Sequence, residues 1–320
     1  MIKRNLDIFK GHNVIGNIIP VHGDVVSGVH EHFNDGEKFI TVSEDGSLAV
    51  TNSETLEIVK FENISKSPIL ASEMILMGEE KFILLGNKKG EILKIDQKYA
   101  PESIVKNQRM EISCICDFGD GTVVLAHGDD EHGSTIQYVS LHEDKIINEI
   151  KLLPGRKIKQ MHKIQGVKDK CIVSCSACNI YWFKVVDNIL KLIIDQPSPD
   201  DYYYDEVWSD GKTIIKAGES CYRREGTPIF IKNMLTGERE ETRGKANSMF
   251  VSDEIVIRAH RGEFRIVNRD GMTINKIHLP KERFPMHVKM HPFGRILMGF
   301  HTGEVARFEF RNQSLRLIMS

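Results

Sequence analysis

Lys89-Gly90-Glu91-Ile92-Leu93-Lys94-Ile95 is a glycine-centred turn followed by a short alternating strand, and the pattern returns along the whole chain. The other copies are Asp45-Gly46-Ser47-Leu48-Ala49-Val50, His132-Gly133-Ser134-Thr135-Ile136, Ala177-Cys178-Asn179-Ile180-Tyr181-Trp182-Phe183, Glu225-Gly226-Thr227-Pro228-Ile229-Phe230-Ile231, Arg261-Gly262-Glu263-Phe264-Arg265-Ile266 and Thr302-Gly303-Glu304-Val305-Ala306-Arg307-Phe308. Successive turn centres lie 44, 43, 45, 48, 36 and 41 residues apart. Glycine suits such a turn because it adopts positive φ without steric cost.

Working outward from Gly90, Lys81-Phe82-Ile83-Leu84-Leu85-Gly86 reads as the strand before the turn and Glu91–Ile95 as the strand after it. Glu73-Met74-Ile75-Leu76-Met77 precedes them as an inner strand, and Ser103-Ile104-Val105-Lys106 follows as an outer one. Strands covered on both faces are continuously apolar, whereas those with one wet face alternate. Similar runs occur at Lys38–Ser43, Thr122–Ala126, Lys170–Cys175, Glu254–His260 and Arg295–His301.

Four short strands per unit at a period of 40–45 residues mark the blades of a β-propeller. The expected fold is therefore all-β, a single seven-bladed β-propeller of four-stranded antiparallel blades spanning 1–320. The approximate blades are 22–63, 72–106, 112–153, 158–195, 202–240, 246–280 and 286–320, with 1–12 as a candidate closing strand. Within that segment Leu6–His12 could complete the last blade, and Gln313–Met319 competes for the same slot.

Apolar residues make up 41% of the chain and charged residues 28%, an ordinary balance for a water-soluble globule. A net charge of −2 gives no global attraction to nucleic acid or anionic membrane. No run reaches the roughly 18 apolar residues of a membrane span, and the basic N-terminus lacks a signal-peptide core. These features lead to an expectation of intracellular location, cytoplasmic or nuclear, with no membrane partner. The six cysteines are then expected to be thiols.

The spacing and strand order resemble those of a degenerate WD40-repeat protein over essentially the whole length. Gly11-His12 matches the Gly-His dipeptide once, and Asp45-Gly46-Ser47 matches the turn ahead of the third strand once. No Trp-Asp dipeptide occurs: Phe183 follows Trp182 and Ser209 follows Trp208. The His, Ser/Thr, Asp and Trp tetrad typical of such blades is thus not expected, and apolar packing must hold neighbouring sheets together. The resemblance implies a scaffold that binds proteins or peptides through its top face and central opening.

Asp200-Asp201-Tyr202-Tyr203-Tyr204-Asp205-Glu206-Val207-Trp208 is the most unusual segment. As a rim loop between blades four and five it would form a binding hot spot, since Tyr and Trp bury large areas at low entropic cost. Asp200, Asp201, Asp205 and Glu206 would steer a basic peptide toward it. Equally, Tyr204 and Trp208 read as the start of an inner strand and simple core.

Arg223, Arg224, Arg258, Arg261 and Arg265 gather in blades five and six around Phe264, a pattern an RNA backbone could use. Acidic Glu238, Glu240 and Glu241 dilute it, so a solvated face is the competing reading. His127, Asp129 and His132 carry metal-ligand chemistry, or are simply a polar hairpin. Cys114, Cys116, Cys171, Cys175 and Cys178 lack paired zinc-ligand spacing and suit core packing. There is no Gly-x-Ser-x-Gly and no phosphate loop. The expectation is a non-catalytic protein-interaction scaffold or adaptor without cofactor or small-molecule substrate. An RNA-binding propeller is the alternative, and a metal-dependent enzyme on the His127–His132 loop ranks below both.

Overall fold

The computed structural model describes residues 13–104, 110–129, 131–152, 157–164, 170–175, 179–197, 202–209, 213–220, 229–233, 239–242, 248–251, 255–260, 263–268, 273–279, 283–290 and 295–311. These form seven four-stranded antiparallel sheets. Blade one is Val26–Glu31, Lys38–Ser43, Ser47–Asn52 and Ile58–Asn63. Blade two is Ile69–Met77, Glu80–Asn87, Ile92–Ile95 and Pro101–Ser103. Blade three is Ile112–Gly119, Thr122–Asp129, Gly133–Ser140 and Lys145–Lys151, and blade four is Ile158–Lys163, Lys170–Cys175, Asn179–Val186 and Ile189–Pro197. Blade five is Tyr202–Ser209, Thr213–Ser220, Ile229–Asn233 and Arg239–Thr242. Blade six is Ser248–Val251, Ile255–His260, Glu263–Asn268 and Thr273–His278, and blade seven begins with Pro285–Met290, Ile296–Phe300 and Glu304–Arg311.

The turn glycines behave as their spacing predicts. Gly46, Gly90, Gly133 and Gly303 have φ of 85°, 78°, 80° and 77°. Each sits between the second and third strand of its blade. At Gly46 a Cβ would come 2.1 Å from the Ser65 carbonyl oxygen, so both the backbone angle and the space select glycine.

The core lies between blades rather than inside any one of them. Second strands are covered on both sides: Phe39, Ile40, Ile83, Leu84, Leu85, Val123, Val124 and Leu125 have no more than trace exposure. One apolar layer joins blades three and four through Cys114, Cys116, Phe118, Tyr138, Cys171, Val173, Tyr181 and Phe183. Similar layers join blades one and two, two and three, and six and seven. Fully burying a side chain such as Phe or Leu contributes about 1.5–3 kcal/mol, so these layers dominate the cohesion of the ring.

Asn13–Pro20 fills the fourth slot of blade seven, pairing antiparallel with Glu304–Arg311 from Asn13 opposite Arg311 to Pro20 opposite Glu304. The two closing segments expected from sequence, Leu6–His12 and Gln313–Met319, lie outside the described residues. Closure is reinforced by Val21 and His22, whose backbone N–H groups donate to the Gly303 carbonyl at 3.2 and 3.0 Å. An apolar layer of Val21, Val26, Phe39, Leu297 and Val305 seals the first blade against the last.

Candidate functional site

The first strand of each blade touches the first strand of the next around a closed circle, so these seven strands surround the axis. They carry an unusual density of titratable groups: His30, Glu73, Asp117, His162, Lys163, His287 and Lys289. Glu73 of blade two is half-buried, and loss of water around it pushes its carboxyl up to about 7, with Asp117 of blade three adding to the rise. Lys289 of blade seven and Lys163 of blade four oppose it. His30 shares a 2.7 Å hydrogen bond through Nε2 with Ser72 Oγ. Burial first, then the charges of Lys289 and His287, holds its imidazole well below the usual range. Burial also lowers His162 and His287 to about 4.

The inner strands thus bring uncharged imidazoles together with Glu73, Asp117, Lys163 and Lys289, drawn from five blades. This set is suited to hydrogen bonding and charge matching. The nearby thiols are not nucleophiles: burial raises Cys114 to about 12 and moves Cys116 and Cys171 further from reactivity.

Blade one holds a polar clasp that the sequence reading did not anticipate. The His22 ring bonds Thr41 Oγ1 through Nε2 at 2.8 Å and Ser47 Oγ through Nδ1 at 2.6 Å. Asp45 accepts from the backbone of Gly23 at 2.6 Å and of Ser47 at 2.8 Å, and from the Ser47 hydroxyl. The expectation that blades lack polar ties is corrected here: the histidine comes from His22-Gly23, in the reverse order of the dipeptide sought. Burial lowers His22 to about 4, against the pull of Asp45.

The expected site residues are scattered. Tyr202, Tyr203, Tyr204, Asp205, Glu206 and Trp208 belong to the axial strand of blade five, paired from Tyr202 opposite Ser220 to Ser209 opposite Ile214, with a bulge between Tyr204 and Glu206. Over 202–209 the rim-loop reading is therefore replaced by an inner strand, because the run finds a partner in Thr213–Ser220. Asp200 and Asp201 lie outside the described residues, as do Arg223, Arg224 and Arg261.

Arg258 is 3% exposed on the second strand of blade six, where burial first and Arg265 next lower its guanidinium to about 10. Arg265 is tied to Glu263, which also holds Lys276 at 2.6 Å. Phe264 is core, edge-on to Phe308 at 4.7 Å. The two described arginines thus form no open basic patch: one is inside and the other is neutralised. His127 is buried on the second strand of blade three, and His132 is exposed in the following turn. Asp129 ends that same strand, opposite Gly133. No group of three metal-ligating side chains assembles among the described residues. Cys114, Cys116, Cys171 and Cys175 are buried in the core, and Cys178 falls outside the described residues.

Apolar side chains remain exposed on outer strands. Ile146 of blade three and Ile189, Leu192 and Ile193 of blade four are 40–47% exposed. These two strands are clipped together by Asn148, which donates to the Leu190 carbonyl at 3.0 Å and accepts its N–H at 2.9 Å. Blade one exposes Ile58, Val59 and Phe61.

Seven four-stranded antiparallel sheets in a closed ring define a seven-bladed β-propeller. The chain is similar in structure to the WD40 β-propeller domain of Doa1, with a TM-score of 0.73 at 14% identity over 95% of this chain and 98% of that one. That likeness is one of fold. No family model and no curated protein matches the sequence.

Proposed function

We propose that this propeller is a non-catalytic interaction scaffold that holds a protein partner on its outer surface. The observation that carries the reading is the apolar strip on blades three and four. Ile146, Ile189, Leu192 and Ile193 are spread over two strands that Asn148 locks into one surface. Large apolar side chains grouped on a rigid exposed face favour protein association, and the closed ring supplies the rigidity without cost at the moment of binding. The axial strand of blade five, with Tyr202, Tyr203, Tyr204 and Trp208, offers aromatic material for a second contact with a basic peptide.

The test compares partners recovered by cross-linking and mass spectrometry from the source cell, using the native chain and an Ile189→Lys/Ile193→Lys variant. Both positions are solvent-facing, so the variant keeps its circular dichroism spectrum and melting temperature. Loss of one or more reproducible partners supports the reading. An unchanged set from both proteins removes the strip as the binding surface.

A further inference from the structure

The outer strand of blade one, Ile58-Val59-Lys60-Phe61-Glu62-Asn63, is an uncovered sheet edge: among the described residues no strand pairs beyond it. Unlike most edges it is apolar as well as open, with Val59 53% and Phe61 44% exposed. Its backbone polarity can be assigned from the ladder. Ile64 N–H donates to the Gly46 carbonyl at 3.0 Å. Leu48 opposite Glu62 and Val50 opposite Lys60 continue that register. In an antiparallel ladder hydrogen-bonded pairs alternate, so Glu62 and Lys60 spend their N–H and C=O on Ser47–Asn52. Phe61 between them directs its own outward.

We infer that this edge pairs with the same edge of a second copy of the chain, antiparallel, about a two-fold axis at Phe61. Three registers are symmetric and pass through the middle of the strand. An axis at Lys60 sets lysine against lysine, and one at Glu62 sets glutamate against glutamate. All three registers can draw on outward-facing backbone groups of the strand, so the charges decide between them. An axis at Phe61 sets Lys60 of each copy opposite Glu62 of the other, two favourable charge pairs by symmetry. These charges are available at the surface: Lys60 and Glu62 already lie 3.1 Å apart on one side of the strand, at 37% and 47% side-chain exposure. Lys60 is positioned further by the Tyr99 ring, 4.9 Å beneath it. The opposite side carries Phe61, which rests against His22 at 5.9 Å between ring centres. Strand addition alone covers less than the ~1,200 Å² of a standard stable interface, so the dimer is reversible and depends on concentration.

Sedimentation equilibrium of the purified 320-residue chain over two decades of concentration reads this directly. The native chain is expected to shift from one chain mass toward two. Lys60→Glu places four like charges across the axis and weakens dimerisation about tenfold. Glu62→Lys does the same by the mirror route, which keeps the test alive should one variant misfold. The double exchange Lys60→Glu/Glu62→Lys restores the native constant. A native chain that stays monomeric throughout overturns the inference. So does a single variant that dimerises normally, or a double variant that remains as weak as the singles. None of these results bears on the strip of blades three and four.

Discussion

The Arg295 guanidinium donates to the Ser53 hydroxyl at 2.7 Å, joining the last blade to the first across 242 positions of sequence. Arg307 adds a 2.8 Å bond to the carbonyl of the same serine. Ser53 is fully buried and its own N–H is taken by Glu37. A single residue at the end of a strand in blade one thus receives two arginines from blade seven. Replacing Arg295 with Met keeps much of the apolar stem and removes the bond. The expected loss is about 1–2 kcal/mol, read as a lower urea midpoint with an unchanged m-value. An unaltered midpoint would show that the bond contributes nothing net.

Two turn glycines separate backbone strain from steric fit. At Gly303 φ is 77° and a Cβ would meet the His22 carbonyl oxygen at 2.2 Å. At Gly78 φ is 62° and nothing lies within 4 Å. Gly78→Ala should cost about 1 kcal/mol, from the backbone alone. Gly303→Ala should cost at least twice that, because the strand closing the ring must also shift. Thermal denaturation of the two variants side by side distinguishes the contributions, and equal losses would contradict the close approach.

The axial groups set the pH response. His162 and His287 are held near 4, and His22 likewise, against an ordinary value of 6.5. The unfolded chain therefore binds more protons than the folded one between about pH 6.5 and 4. Stability falls as the pH is lowered through that window. Glu73 acts in the opposite sense: raised from 4.5 to about 7, it keeps a proton in the fold that the unfolded chain releases, so its contribution is lost as pH rises from 4.5 to 7. Glu73→Gln removes this opposing slope. The variant should lose more stability on acidification from pH 7 to 5 than the native chain does, and should gain relative to it at pH 8. Parallel curves for the two proteins would place Glu73 in an ordinary solvated setting.

Burial makes the four described cysteines inert. Cys114, Cys116, Cys171 and Cys175 should resist iodoacetamide at pH 8 in the native protein and react fully in urea, as peptide mapping would show. Rapid native alkylation of any of them would mean that the layer between blades three and four opens readily.

Much of this architecture was legible because its signals are local. Gly46, Gly90, Gly133 and Gly303 mark turns whose positive φ only a few residue types tolerate, and Phe82–Leu85 or Val123–Ala126 read as continuously apolar because neighbouring blades cover both faces. The closing strand was hidden because Asn13–Pro20 contains a glycine and ends in proline, and its partner lies nearly three hundred residues away. The clasp at His22 was missed because its four members come from a linker, a strand and a turn, in an order the dipeptide motif does not describe. The aromatic run at 202–208 looked like a loop because its acids suggest solvent, yet its pairing with Thr213–Ser220 makes it a strand. No short pattern could reveal the axial ring, which draws one or two residues from each of five distant strands.

Ring closure is tested most directly by disulfide trapping between Ile18 and Ala306, which face each other across the pairing of Asn13–Pro20 with Glu304–Arg311. Directly opposed strand residues fall within the Cα separation a disulfide needs, and an Ile18→Cys/Ala306→Cys exchange roughly conserves the buried volume. A closed propeller predicts a quantitative intrachain bond on mild oxidation, with a raised melting temperature that reductant reverses. Free thiols at both positions, or bonds only between chains, would contradict it.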